Sequence, residues 1–128
     1  VENQNKQNPV IRLGFLLGEL MDIKDLKIYR GDDTIFTVRI EALPNFSLQE
    51  AELKMTLKSK LNIEQITLST TDNSINVLSD NVLQLIFSHQ LTKNVKSTTW
   101  HYDLQMTKND IVRTLVRGKV IIEPDVTE

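Results

Sequence analysis

The residues from Trp100 to Glu123 constrain this chain more than any other stretch. Trp100, Tyr102, Leu104 and Met106 alternate with His101, Asp103, Gln105 and Thr107, the period of two that arises when one face of an extended strand is buried and the other is wet. A polar Lys108-Asn109-Asp110 turn follows. The chain then returns through Val112, Thr114, Val116, Val120 and Ile122 on one face, with Arg113, Arg117, Lys119 and Glu123 on the other. Two alternating runs joined by a polar turn predict a β-hairpin whose inner face carries the chain's one tryptophan. Gly118 falls where the alternation can slip, so a bulge or bend is expected there. Pro124, which has no N–H to donate, ends the ladder.

Shorter runs of the same kind precede the hairpin. Leu26 and Ile28 lead into an Arg30-Gly31-Asp32-Asp33 turn, and Phe36, Val38 and Ile40 then alternate with Thr37, Arg39 and Glu41. Leu43-Pro44-Asn45 ends that strand, and Phe46-Ser47-Leu48 is expected to cover one end of the core. Leu53, Met55 and Leu57 form another half-buried strand. Two short edge strands, near Ile66–Ser69 and Ile75–Leu78, are joined by Thr71-Asp72-Asn73. Asn81 to Phe87 reads as a further strand, and His89 to Thr92 as one helical turn. Seven or eight short strands with turn signals every 8–12 residues or so predict an all-β antiparallel sandwich.

Composition narrows the function. A chain of 128 residues fits one domain with a single core. A formal net charge of -2 gives no electrostatic ground for binding nucleic acid, which requires a clustered basic face. The absence of cysteine excludes disulfides, thiolate chemistry and the commonest zinc clusters. The apolar run from Val10 to Met21 carries Arg12 and Glu19 and falls short of the roughly 20 apolar residues that cross a bilayer. No membrane span is expected. The polar lead Glu2-Asn3-Gln4-Asn5 has no basic leader, so no signal peptide is expected within these residues either.

Residues 1–22 are expected to form an appended segment and residues 23–128 the sandwich. Residues 1–9 are rich in Asn and Gln and read as a loose lead. Val10 to Leu20 can be wound as a short helix with Ile11, Phe15 and Leu20 on one side, although Gly14 and Gly18 each weaken it by about 1 kcal/mol relative to alanine. Its apolar residues would dock on this domain, on another copy or on a neighbouring subunit, which makes Ile11, Phe15, Leu16 and Leu17 the candidate interface. Ile35 and Ile86, exposed strand residues on this reading, are weaker candidates, because single surface apolar residues are ordinary.

No catalytic, cofactor or metal site is expected. His89 and His101 lie in different elements, and neither has the neighbours that complete a metal set. His101 and Asp103 share a strand face, but a His-Asp pair without a positioned nucleophile is no evidence of catalysis. Ser88 and Ser97 lack the Gly-flanked turn of a nucleophilic serine. Asp32, Asp33, Asp72 and Asp80 lack the alternating spacing of a calcium loop. Arg30-Gly31-Asp32 matches an adhesive tripeptide, yet turn geometry already accounts for Gly31 and Asp32. Asn45-Phe46-Ser47 is a glycosylation sequon, relevant only in a secretory pathway. Trp100 and Tyr102 are expected to fill the core rather than stack on a ligand.

The order of parts resembles small immunoglobulin-like domains of tailed-bacteriophage and prophage structural proteins, including the amino-terminal domain of baseplate upper proteins. The resemblance rests on Ile28-Tyr29-Arg30-Gly31-Asp32-Asp33 before a strand and on Ala51 to Lys58. It is strongest at Tyr102-Asp103-Leu104-Gln105, with Arg113 to Ile122 and the closing Pro124-Asp125-Val126-Thr127, and it spans about Asp25 to Glu128. It implies an immunoglobulin-like sandwich with an architectural role in a baseplate or fibre attachment. Tail or baseplate subunits and further copies of the chain would be the partners, and the location a virion assembled in the bacterial cytoplasm. Residues 1–20 have no counterpart in the pattern, and Lys108-Asn109-Asp110 stands where a Gly-rich turn would be sought. The rival reading is an extracellular immunoglobulin-like adhesion or carbohydrate-binding module, with an enzyme as the third class.

Overall fold

The computed structural model describes residues 10–13, 22–41, 46–61 and 63–124. The strands in chain order are β1 (Val10–Leu13), β2 (Asp22–Ile23), β3 (Leu26–Tyr29), β4 (Thr34–Ile40), β5 (Glu52–Ser59), β6 (Gln65–Ser69), β7 (Ile75–Ser79), β8 (Val82–Phe87), β9 (Thr99–Lys108) and β10 (Ile111–Glu123). A single helical turn, α1 (His89–Thr92), joins β8 to the segment before β9. The strands form a four-stranded sheet in the order β1-β4-β8-β7 and a six-stranded sheet in the order β2-β10-β9-β5-β6, with β3 also on β10. The expected all-β sandwich is therefore present. Among the described residues its ten strand segments exceed the expected seven or eight because β1 joins a sheet and because β2 and β3 lie in succession along one edge of β10.

The sandwich is not purely antiparallel. β1 runs parallel to β4, and β2 and β3 run parallel to β10. All three parallel strands come from the first part of the chain, where antiparallel pairing or helix was expected. Val10–Leu13 is strand rather than the start of a helix: Leu13 is fully buried and Ile11 packs half-buried against the core. β-branched Val10 and Ile11 suit the pleated surface better than a helix weakened by glycine.

The core lies between the sheets. Trp100, at 0% exposure, donates its indole N–H to the Ser97 carbonyl at 2.9 Å, which removes the cost of burying that polar edge. Phe36 and Phe87 meet edge to face with centroids 5.9 Å apart. Tyr102, Leu104 and Met106 are buried with Trp100, while His101 is exposed and Asp103 and Gln105 half-exposed, as the alternation predicts. Leu48 is buried and Phe46 packs against the core edge, so this pair covers one end.

The return arm departs from its expected phase. The register shift in β10 falls between Thr114 and Val116, leaving Leu115 as the extra residue, whereas Gly118 pairs in register with Tyr102. Leu115 and Val116 are both buried. Omitting one residue from the ladder forfeits about 1 kcal/mol, and burying the Leu115 side chain contributes about 2 kcal/mol against it. The bulge also reverses the alternation on its N-terminal side. Val112, expected inside, is 58% exposed. Asn109 and Asp110 both adopt positive φ, 54° and 64°, the left-handed pair of a tight hairpin turn.

Gly118 has a different role from the one expected. A Cβ built there would sit 2.1 Å from the Lys24 carbonyl oxygen, so the position admits the backbone of the neighbouring edge strand and nothing more. Gly118→Ala should therefore destabilise the protein by about 2 kcal/mol, in the range of overpacked core positions, seen as a lower urea midpoint with an unchanged slope. A midpoint equal to that of the native protein would show that Lys24 yields freely.

Candidate functional site

The outer face of the six-stranded sheet holds the most elaborate polar arrangement. In one row across three strands, Lys58, His101 and Lys119 lie directly opposite one another. Thr56, Asp103 and Arg117 form the next row, and Ile23 lies beyond Arg117. Side chains so paired stand about 5 Å apart at Cβ on one face.

Beside these rows the edge strand is interrupted between Ile23 and Leu26. Lys24 still donates its N–H to the Arg117 carbonyl at 2.9 Å. Its own carbonyl instead accepts the Tyr102 hydroxyl at 2.7 Å. Asp25 Oδ1 accepts the Lys119 N–H at 3.0 Å, so a side-chain carboxylate replaces the main-chain acceptor of the ladder. Gly118 lies opposite Tyr102 on β10, between β9 and this edge, and its missing side chain gives the Lys24 peptide room. The result is an open cleft of about 450 Å³ lined by Ile23, Asp25, His101, Tyr102, Arg117, Gly118 and Lys119.

The other polar residues singled out in the sequence are engaged in local structure. Asp33 accepts hydrogen bonds from the His89 main-chain N–H at 2.6 Å and from its ring Nδ1 at 2.9 Å; the ring contact first, then the main-chain bond, holds its carboxyl below the ordinary range. Asp72 accepts from Ser74 within its turn, and Asp80 accepts from the Ser47 hydroxyl at 3.1 Å. The four acids considered for calcium are thus dispersed, and among the described residues no group of three or more His, Asp or Glu could hold a metal ion. The Arg30-Gly31-Asp32 turn is tied down: Arg30 donates to the Val95 carbonyl and Gly31 N–H to Thr92 Oγ1, with Gly31 at φ 82°. Ser97 serves Glu64 and Trp100 through its main chain. The Asn45 of the sequon lies outside the described residues.

Of the candidate interface, Ile11 is half-buried on β1, and Phe15, Leu16 and Leu17 lie outside the described residues. Ile35 and Ile86 are half-buried and pair with each other across β4 and β8, so they are not exposed as expected. Sequence reasoning missed the apolar side chains at the strand ends. Leu61 and Ile63, beside the β5–β6 turn, are 74% and 76% exposed; Ile111 and Val112, after the β9–β10 turn, are 56% and 58% exposed. The signal for the first pair was two large aliphatic residues in a polar loop.

That loop is held in place. Ser59 Oγ accepts the N–H groups of Ile63 and Glu64, and the Glu64 carboxylate accepts those of Lys96 and Ser97 at 3.0 and 2.9 Å. Hydrogen bonding by Ser97, then by Lys96, lowers the Glu64 pKa.

No protein-family model matches the chain, and no curated protein does. Among solved structures it is similar to the N-terminal domain of phage TP901-1 ORF48, with a TM-score of 0.57 and 9% identity over 91% of this chain and 98% of that one. It is also similar to part of a putative glycoside hydrolase from Bacteroides vulgatus ATCC 8482, with a TM-score of 0.50 and 12% identity over 78% of this chain. That match spans 16% of the hydrolase. The resemblance to a tailed-phage domain expected from the sequence therefore holds at the level of the fold.

A carboxylate whose folded-state pKa is depressed stabilises the fold above its unfolded value and loses that contribution as pH falls through the folded one. Glu64→Gln should accordingly lower the urea midpoint at neutral pH, and the gap to the native protein should close as pH drops through the depressed Glu64 value. A gap that stays constant through that window would mean that the Glu64 charge does not hold the loop.

Proposed function

We propose that this chain is a non-enzymatic structural and docking module of a phage or prophage tail particle, at a baseplate or fibre attachment. The observation that carries this reading is the fold shared with the phage TP901-1 ORF48 domain over nearly the whole of both chains. A rigid two-sheet body with apolar side chains at its strand ends suits such a role, because virion parts work through repeated contacts that bury surface between subunits. The partners are other tail or baseplate subunits and further copies of the chain, and the location is the virion. Phe15, Leu16 and Leu17 supply one apolar contact together with Ile11, and Leu61 and Ile63 a second, presented on a pinned loop.

Sedimentation of the intact protein tests this reading. The native chain should form assemblies whose mass rises with concentration. Phe15→Glu combined with Leu17→Glu should shift it to monomer, with an unchanged far-ultraviolet circular dichroism spectrum. Leu61→Asp with Ile63→Asp should weaken assembly by at least about tenfold, since burying two aliphatic side chains is worth about 3 kcal/mol or more. Identical masses for the native chain and both variants at every concentration would refute these contacts.

A further inference from the structure

We propose that β6 pairs antiparallel with β6 of a second copy of this chain. The bonding of β5 to β6 fixes which main-chain groups are available. Ser59 donates its N–H to the Glu64 carbonyl at 3.0 Å, and Thr70 donates to the Leu53 carbonyl at 3.0 Å, one at each end of an unbroken register. In an antiparallel ladder every second residue turns its N–H and C=O toward a given neighbour. Glu64, Ile66, Leu68 and Thr70 therefore face β5, and Gln65, Thr67 and Ser69 turn their main-chain groups the other way. Nothing lies on that side in the sheet, because β6 is its last strand. The Ser69 N–H is taken by Ser74 Oγ at 2.9 Å. Among the described residues, the outward groups of Gln65 and Thr67 have no such partner.

Open edges are ordinarily blunted against strand pairing by brevity, charge, proline, bulges or interruption. The other three described edges of the sandwich are. β7 carries a register shift between Val77 and Ser79, β1 has four residues and an exposed Arg12, and the β2–β3 edge is interrupted at Lys24 and Asp25. β6 reads Gln65-Ile66-Thr67-Leu68-Ser69, with no charge and no proline, and its register on β5 has no bulge.

A second copy fits this edge by symmetry. With a two-fold axis beside Ile66, Gln65 stands opposite Thr67 of the second copy and Thr67 opposite its Gln65, and each pair exchanges both main-chain bonds. Ile66, buried in each copy, meets its own counterpart. Ile63, 76% exposed, falls opposite Ser69 of the second copy, where the main chain is already engaged and an apolar side chain covers the turn. Ser59 and Glu64 hold the Leu61–Ile63 loop in place, so it is set for that contact beforehand. This inference deepens the docking role by naming one partner and its register, and it rests on that role only in requiring self-association. The seam is short and adds to the apolar contacts rather than replacing them.

Amide hydrogen exchange and sedimentation of the full chain test it. Exchange at Gln65 and Thr67 should slow by at least about tenfold between dilute and assembled protein, while Ile66 and Leu68, bonded to β5, exchange slowly in both. Gln65→Glu with Thr67→Glu sets like charges opposite each other across the seam and should weaken assembly by at least about tenfold. Gln65→Glu with Thr67→Lys sets opposite charges there and should assemble at least as tightly as the native chain. Within one copy the acid at position 65 faces Lys58, so both variants should keep the native circular dichroism spectrum. Fast exchange at Gln65 and Thr67 in assembled protein would overturn the seam and leave the docking role standing. Slow exchange at every concentration would put a segment of the same chain on the edge and overturn the second copy as its occupant. Equal assembly by the two variants would overturn the register, and a chain that stays monomeric at every concentration would overturn both the seam and the docking contacts.

Discussion

Strand β10 runs thirteen residues and takes partners on both edges over its C-terminal half, and much of the six-stranded sheet is arranged around it. On one side β9 pairs with it from Ile111 to Ile121, broken by a single extra residue. On the other, β2 and β3 take successive stretches. Unpaired main-chain groups beside a buried core cost about as much as lost hydrogen bonds, so where β2 and β3 leave a gap, side chains fill it. Asp25 satisfies the Lys119 N–H, and Tyr102 satisfies the Lys24 carbonyl. Fold and cleft have one origin in this repair.

Much of the sandwich was legible because half-buried strands write their faces into the sequence. The alternation from Trp100 to Met106 placed the largest core side chain correctly, and the helical turn at His89–Thr92 and both short edge strands lie where they were expected. Most of the errors share a cause, since they concerned something that depends on partners distant in the chain. Val10–Leu13 is a strand because β4 offers it an edge, which no local pattern reveals. Parallel pairing of β2 and β3 with β10 is equally silent in a local window. The bulge at Leu115 had a local trace in two adjacent apolar residues, but Gly118, the residue type associated with bulges, drew attention away from it.

The candidate site was less legible than the fold. His101 was recognised as an outward residue and Asp103 as its neighbour. Lys58 on β5 and Arg117 and Lys119 on β10 come to stand beside His101 and Asp103 on β9 only once the register is known. The apolar loop residues Leu61 and Ile63 were visible as letters, but their exposure depends on how Ser59 and Glu64 hold the loop away from the core edge.

The parallel placement of β2 and β3 bears on how the polypeptide reaches its native state. Both segments lie between Asp22 and Tyr29, while the strand that receives them spans Ile111–Glu123. Pairing across such a sequence separation is slow, because chain closure must precede any reward from contact. During synthesis these early residues leave the ribosome long before their acceptor exists, and the edge they will occupy is the last to be completed. Vectorial production thus runs opposite to the order of assembly, and β2 and β3 remain open to wrong pairing until β10 has been made.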